Sequence, residues 1–259
     1  MRPQWRRHNG EQWQDTGVDK MALPYFIWKN IDCRSMGIYL TGPAPIVRPE
    51  ERVNHIQIPG MSGDLTQTEG ENIFNSYIQT VTIHVKGGYR VREVYDWLRG
   101  DDFVTFSGEP DRRQPARIIG AVTLNRHSRN IDTWVGEVQF YCQPLKERLN
   151  PQPVSVSSSG SIIKNNGDVT AFPVITATFT AGSTVVIAAG GKQITVTMTG
   201  LSDTGCIIDC GAKIVTNTAK TQNFMNLCIG DFPELPQGNV EITGSGWTGL
   251  AIDKRERFL

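Results

Sequence analysis

Apolar and polar residues alternate with period two over most of this chain, and only one stretch has a clear helical period. Val81, Ile83 and Val85 alternate with Thr82, His84 and Lys86, the pattern of a half-buried strand. Gly87-Gly88 ends that run. Val91, Val94, Tyr95 and Leu98 then recur at i, i+3, i+4 and i+7, which predicts one helix over about 89–99 with Gly100 as its left-handed cap. Strands are expected again at Phe103–Phe106, Arg117–Leu124 and Trp134–Cys142, the last with Trp134, Gly136, Val138, Phe140 and Cys142 on one face. A single helix laid on several strands is an α+β arrangement, here a helix-decorated sandwich.

Beyond residue 161 the pattern is almost purely β. Ile175, Ala177 and Phe179 alternate with Thr176, Thr178 and Thr180. Val185–Ala189 and Lys192–Met198 flank Gly190-Gly191, a pair suited to a two-residue hairpin turn with positive φ at both positions. Val240 and Ile242 lead through Gly244-Ser245-Gly246 to Leu250–Ile252, read as a second hairpin. Short strands at this spacing indicate a β-sandwich or jelly roll. The fold class is therefore mainly β: a sandwich with one helix, followed by a second sandwich.

Composition divides the chain at the same place. Residues 1–150 hold 37 of the 52 charged side chains, with Arg outnumbering Lys 15 to 4, whereas residues 151–259 have no Tyr and one Trp, Trp247. Between them Asn150-Pro151-Gln152-Pro153 and the serine-rich run to Ser161 resist packing. The expected division is an extension over 1–20, a first domain over 21–150, a linker over 151–161 and a second domain over 162–259. Arg2, Arg6 and Arg7 have no apolar segment after them, so Met1–Lys20 does not read as a secretory signal. No run of 18 apolar residues suggests a membrane-inserted helix. Zero net charge argues against a protein living by bulk phosphate attraction. Five scattered cysteines, Cys33, Cys142, Cys206, Cys210 and Cys228, make a disulfide framework a poor reading and favour reduced, cytoplasmic synthesis.

Catalytic and cofactor chemistry find little support. His8, His55, His84 and His127 are far apart, with no HExxH spacing. Cys206 and Cys210 are spaced CxxxC without a second pair, so small buried side chains are the simpler reading. The doublets Asp101-Asp102 and Glu50-Glu51, with Asp111, read as solvated turns, because adjacent strand residues point to opposite faces. Asp209 and Asp231 read as turn formers, and Phe232 with Leu235 as a plug at a sandwich end. Trp247 alone makes a weak sugar-stacking platform. No catalytic, cofactor or metal residue is assigned, and no enzyme activity is expected. Arg112-Arg113, Arg117, Arg126 and Arg129 surround one expected hairpin, either as subunit contacts or as a solvated face.

An ordered series of short motifs adds a family. Asn165-Asn166-Gly167-Asp168-Val169, Phe172-Pro173-Val174-Ile175, Ile208-Asp209-Cys210, Gly230-Asp231-Phe232-Pro233-Glu234-Leu235 and Gly238-Asn239 resemble, in this order, the C-terminal domain of the phage distal tail protein family. More loosely, Trp28–Cys33, Met36-Gly37-Ile38, Ile58–Leu65, Trp97-Leu98, Phe106 and Phe140–Pro144 are similar to its first domain. The resemblance covers about 25–259. Members usually start near Met21, so 1–20 is extra, an extension or an upstream start, and the junction has no room for an inserted sugar-binding arm. The resemblance implies a galectin-like second sandwich and a structural protein of the virion, at the tip of a long non-contractile tail. It implies a homo-oligomeric ring, a hexamer, whose first domains close the ring and whose second domains project outward. It implies tail tube, tape measure and tail-associated or receptor-binding proteins as partners, and a channel that passes DNA without specific binding. The segment Val47–Tyr77 and the extension before Met21 are expected at subunit contacts. A glycan-binding module is the alternative function, and a tail-associated hydrolase ranks third.

Overall fold

A computed structural model describes residues 23–68, 70, 72–129 and 131–259, so the extension over 1–20 lies outside the described residues. The strands before the helix are β1 (Phe26–Trp28), β2 (Ile31–Asp32), β3 (Ile38–Leu40), β4 (Val53–Gln57), β5 (Asp64–Thr68) and β6 (Tyr77–Lys86). Helix α1 (Val91–Trp97) follows, then β7 (Asp101–Phe106), β8 (Arg112–Ile119), β9 (Leu124–Ser128), β10 (Ile131–Cys142) and β11 (Lys146–Arg148). One antiparallel sheet runs in the order β2-β1-β7-β8-β10-β6-β3, with β9 on β10 and β11 on β8. Val81, Ile83 and Val85 are buried on β6, facing Val138 and Phe140 of β10 in the same core. Phe140 meets Phe26, Trp28 and Phe106 edge to face at 5.4, 5.5 and 5.7 Å, the geometry that the ring quadrupole favours.

The helix is shorter than its period suggests. A 3-10 turn at Gly88–Arg90 precedes it, and Gly100 (φ +82) follows. Val94 and Leu98 are buried as the pattern implies, but Tyr95 is partly exposed and Trp97 takes its place against the sheet. Trp97 stacks on Phe26 at 5.7 Å, and its carbonyl accepts the Trp28 indole N–H. The expected strand Arg117–Leu124 is a misreading. β8 ends at Ile119, Gly120 turns the chain at φ +71, and a new strand starts at Leu124. Gly136 on β10 lets Thr123 cross closely there, since a Cβ would lie 2.1 Å from the Thr123 carbonyl oxygen.

The second half comprises β12 (Val154–Val156), β13 (Ser161–Asn165), β14 (Val174–Thr178), β15 (Thr184–Ala189), β16 (Lys192–Thr197) and β17 (Gly205–Asp209). It continues with β18 (Ile214–Asn217), β19 (Cys228–Gly230), β20 (Gly238–Ser245), β21 (Gly249–Asp253) and β22 (Arg257–Phe258). Two five-stranded antiparallel sheets result, β12-β21-β14-β17-β18 and β13-β20-β15-β16-β19. Their inward residues, among them Ile175, Ile187, Ile194, Ile208, Ile242 and Ile252, form one core. Each such side chain contributes about 1.5–3 kcal/mol on burial. The Gly190-Gly191 turn has φ +61 and +76, as its hairpin requires.

Two expectations need correction. Residues 151–161 contain β12, which pairs with β21, so this stretch is partly sheet. β20 and β21 are not a hairpin, because they belong to opposite sheets. At Gly244 and Gly246 the end of β20 lies so close beside its neighbour β15 that a Cβ would sit 2.0 Å from Val186 O and 1.9 Å from Thr184 O, and the chain then passes to the other layer at β21.

The chain end ties both halves together. β22 pairs with β11, which pairs with β8, so the last strand of the second half shares a ladder with strands of the first. Phe258 is buried beneath the guanidinium of Arg112 at 4.2 Å. Glu256, 4% exposed, accepts from Arg148 Nε at 3.1 Å, Lys254 Nζ at 2.5 Å and the backbone and side-chain amides of Asn166 at 3.0 and 3.1 Å. Burial alone would raise its pKa, but the Lys254 ammonium, the Asn166 N–H and Arg148 outweigh burial and hold it below the ordinary 4.5. A depressed folded-state pKa stabilises fully above the unfolded value, and that stability is lost as pH falls through the folded value. Glu256→Gln is expected to cost about 1–3 kcal/mol at pH 7, because the partly exposed Lys254 and Arg148 lose the buried carboxylate that they bond. In urea melts the gap between mutant and parent should narrow as pH drops below 4.5. A gap that stays constant down to pH 3 would show that the carboxylate charge contributes nothing.

Candidate assembly surface

The least covered element is the hairpin of β4 and β5. It forms a two-stranded sheet of its own, with Ile56 directly opposite Leu65. Every residue from Asn54 to Thr68 is exposed, and the Ile56–Leu65 pair is 42% and 48% exposed. Ile58 and Met61 continue the apolar surface around a turn opened by Gly60 (φ +82) and Gly63 (φ +86). The base is firm. Arg52 N donates to Ile73 O and Asn75 N to Glu50 O, at 2.9 and 2.8 Å, while Phe74 is buried. An isolated two-stranded hairpin is marginal in water, and open strand edges invite pairing. The hairpin over 53–68 carries a single charged side chain, Asp64, so its exposed surface is mainly apolar and polar rather than charged.

Most of the arginines noted in the sequence are consumed inside the chain. Arg112 pairs with Glu109 at 2.8 Å, Arg113 with Glu147 at 3.2 Å and Arg117 with Asp101 at 3.5 Å. Arg126 and Arg129 are exposed, Arg126 on β9 and Arg129 just after it. His84 and His127, remote in sequence, are brought to 6.3 Å between ring centroids, and His84 Nε2 lies 3.0 Å from Thr41 Oγ1. His55 is on the arm, and His8 lies outside the described residues. Asp101 and Asp102 belong to β7 rather than to a turn. Among the described residues no three His, Cys, Asp or Glu side chains form a metal-ligand set. Trp247 is partly buried against the sandwich core, with its indole nitrogen enclosed.

The motif series converges at one end of the sandwich. Asn165, 1% exposed, donates to Val169 O at 3.1 Å and Leu235 O at 2.8 Å and accepts from Gly167 N at 2.9 Å. Gly167 is required there, since a Cβ would meet Arg257 O at 2.6 Å. Asp168 accepts Leu259 N, and Asp209 caps Gly211 N and Ala212 N as expected of a turn former. Asp231 acts instead through its backbone, donated to Gln193 O at 2.8 Å. Leu235 is buried, with Phe232 packed on the same core.

No protein-family model matches this chain, and no curated protein matches it either. Among solved structures it is similar to the Dit protein (gp 19.1) of phage SPP1, described as a paradigm of the hub adsorption apparatus in phages infecting Gram-positive bacteria. That match has a TM-score of 0.74 and 19% identity over 92% of this chain and 100% of that one. The fold is that of a phage tail hub protein. A chain of the phage P2 baseplate in its activated, calcium-bound conformation is also similar, with a TM-score of 0.50 and 9% identity over 92% of this chain and 100% of that one. The mainly β, one-helix reading and the distal tail resemblance both agree with this hub fold.

The five thiols are free, and four of them are buried. Desolvation pushes Cys142, Cys206 and Cys210 to about 12, and Cys33 and Cys228 to about 11. Since the thiolate is the reactive form, the folded chain at pH 8 should leave an aromatic disulfide reagent unreacted over the minutes in which the chain unfolded in guanidinium releases all five equivalents. Rapid release of two or more equivalents from the folded chain would contradict this burial.

Proposed function

We propose that this chain is the structural hub of a long non-contractile phage tail, forming a six-membered ring that joins the tail tube to the tip apparatus and leaves a channel for DNA. The observation that carries the reading is the exposed, apolar β4–β5 arm, standing uncovered on a chain with the hub fold. In a cyclic assembly the contacts are heterologous: one patch of each subunit meets a different patch of the next, and rotation by the ring angle closes the circle. The arm supplies one patch. Its occupant is the first domain of the neighbouring copy, which would cover Ile56, Ile58, Met61 and Leu65. The residues before β12 and the sheet around α1 form the ring domain, and the sandwich faces outward toward tail-tip and receptor-binding proteins. On this reading the chain acts by geometry and carries out no reaction.

Light scattering across a concentration series, with imaging of the particles, tests the ring. The expected species is six times the chain mass of 28.8 kDa, or a stacked pair of such rings. Ile56→Asp with Leu65→Asp should abolish it while leaving the melting temperature of the chain within about 2 °C, because exposed substitutions cost little. Rings persisting in the double variant, or with residues 53–68 replaced by a short Gly-Ser turn, would refute the arm's role. Non-ring aggregates or a monomer at every concentration would refute self-assembly without a template.

A further inference from the structure

Where the two cores meet, arginines from both line a cleft of ≈ 520 Å³. Arg113 on β8 and Arg257 on β22 both lie opposite Glu147 of β11 in the strand register. The three side chains therefore form a cross-strand row of alternating charge, two cations around one carboxylate. Glu147 bonds to Arg113. Arg148 has Glu256, and Arg255 has Asp209 at 3.2 Å. Arg257 forms no ion pair among the described residues. It donates to the Thr170 carbonyl and its guanidinium lies 4.7 Å from the Phe172 ring, while its Nε is buried without an acceptor. Half-buried, it has its pKa lowered by desolvation, which the charges of Glu147 and Glu234 fail to offset.

A half-buried, stacked guanidinium without an ion pair of its own, beside a carboxylate already bonded to Arg113, is placed to accept a further counter-charge. The planar fork is already oriented by Phe172 and the Thr170 carbonyl, so little freedom is lost when it meets a carboxylate. We propose that this cleft binds an acidic peptide segment of a partner protein, placing one carboxylate on Arg257 with Arg113 beside it. A polyanion is disfavoured, because Glu147, Asp253 and Glu256 share the lining and would repel successive phosphates. This inference goes beyond ring formation and does not depend on it, since the cleft lies within a single chain.

The test is fluorescence anisotropy of a labelled Gly-Ser-Glu-Gly-Ser-Glu-Gly peptide with the full chain, beside the same peptide carrying Gln for Glu and beside inorganic phosphate as competitor. Saturable binding of the Glu peptide is expected, weakened about tenfold or more by Arg257→Gln. Arg257→Lys should give an intermediate loss, and Arg117→Gln, remote from the cleft, none. Thermal melts establish that each variant is folded. Should Arg257→Gln fail to fold, Arg113→Gln carries the same prediction. Equal affinity for the Glu and Gln peptides would overturn the proposal, as would binding indifferent to both Arg257→Gln and Arg113→Gln, or phosphate binding tighter than the peptide.

Discussion

Glu256 is buried yet held ionised by four hydrogen-bond donors, one from its neighbour Lys254 and the others from Arg148 and Asn166, far away in the chain. Removing a carboxylate from water costs several kcal/mol, so the site is stable only with its counter-charges in place. Arg148 comes from β11, Asn166 follows β13, and Lys254 follows β21 and also donates to Lys164 O. This requirement holds the last strand in position. With β22 fixed, Phe258 is buried under Arg112, Leu259 N reaches Asp168, and Lys146 bridges Glu109 and the Leu259 carbonyl. The sandwich and the first sheet are thereby coupled through one short ladder.

The same clamp gives a physical meaning to the motif series. Read as sequence, Asn165–Val169, Phe232–Leu235 and the turn at Asp209 look like separate punctuation. In the fold they meet at the sandwich end that receives the C-terminal strand, with Asn165 joining two of them and Arg255 reaching Asp209. The resemblance was legible because such residues are constrained by backbone contacts that other side chains cannot make. Gly167, pressed against Arg257 O, is one example. Their convergence was not legible, since spacing along a chain says nothing about which turns share an end.

Periodicity succeeded where one face is buried and the other solvated, as on β6, β14 and β15. It failed where the chain leaves that regime. At Gly120 a single left-handed residue breaks what looks like one strand. At Gly244 and Gly246 two apolar runs joined by glycines look like a hairpin, but the glycines let the end of β20 approach β15 closely before the chain changes sheets. In α1 the helical period selected Tyr95, whereas the bulk of Trp97 and its stacking on Phe26 decide which face packs. Local pattern reports burial well, and reports which sheet a strand joins poorly.

The arginine excess shows how one composition signal divides into distinct physical roles. Arg112 and Arg113 stack on Phe258 and Phe103, and their charges are met by Glu109 and Glu147, so they serve the junction. Arg126 and Arg129 stand exposed at the surface. Arg257 is neither neutralised nor fully solvated. Guanidinium suits all three situations because it stays charged, stacks on rings and is weakly hydrated, a combination that lysine lacks. The sequence-level choice between subunit contacts and a solvated face was thus too narrow. The third use, joining the two halves of one chain, becomes visible only when the last strand is seen lying beside β11.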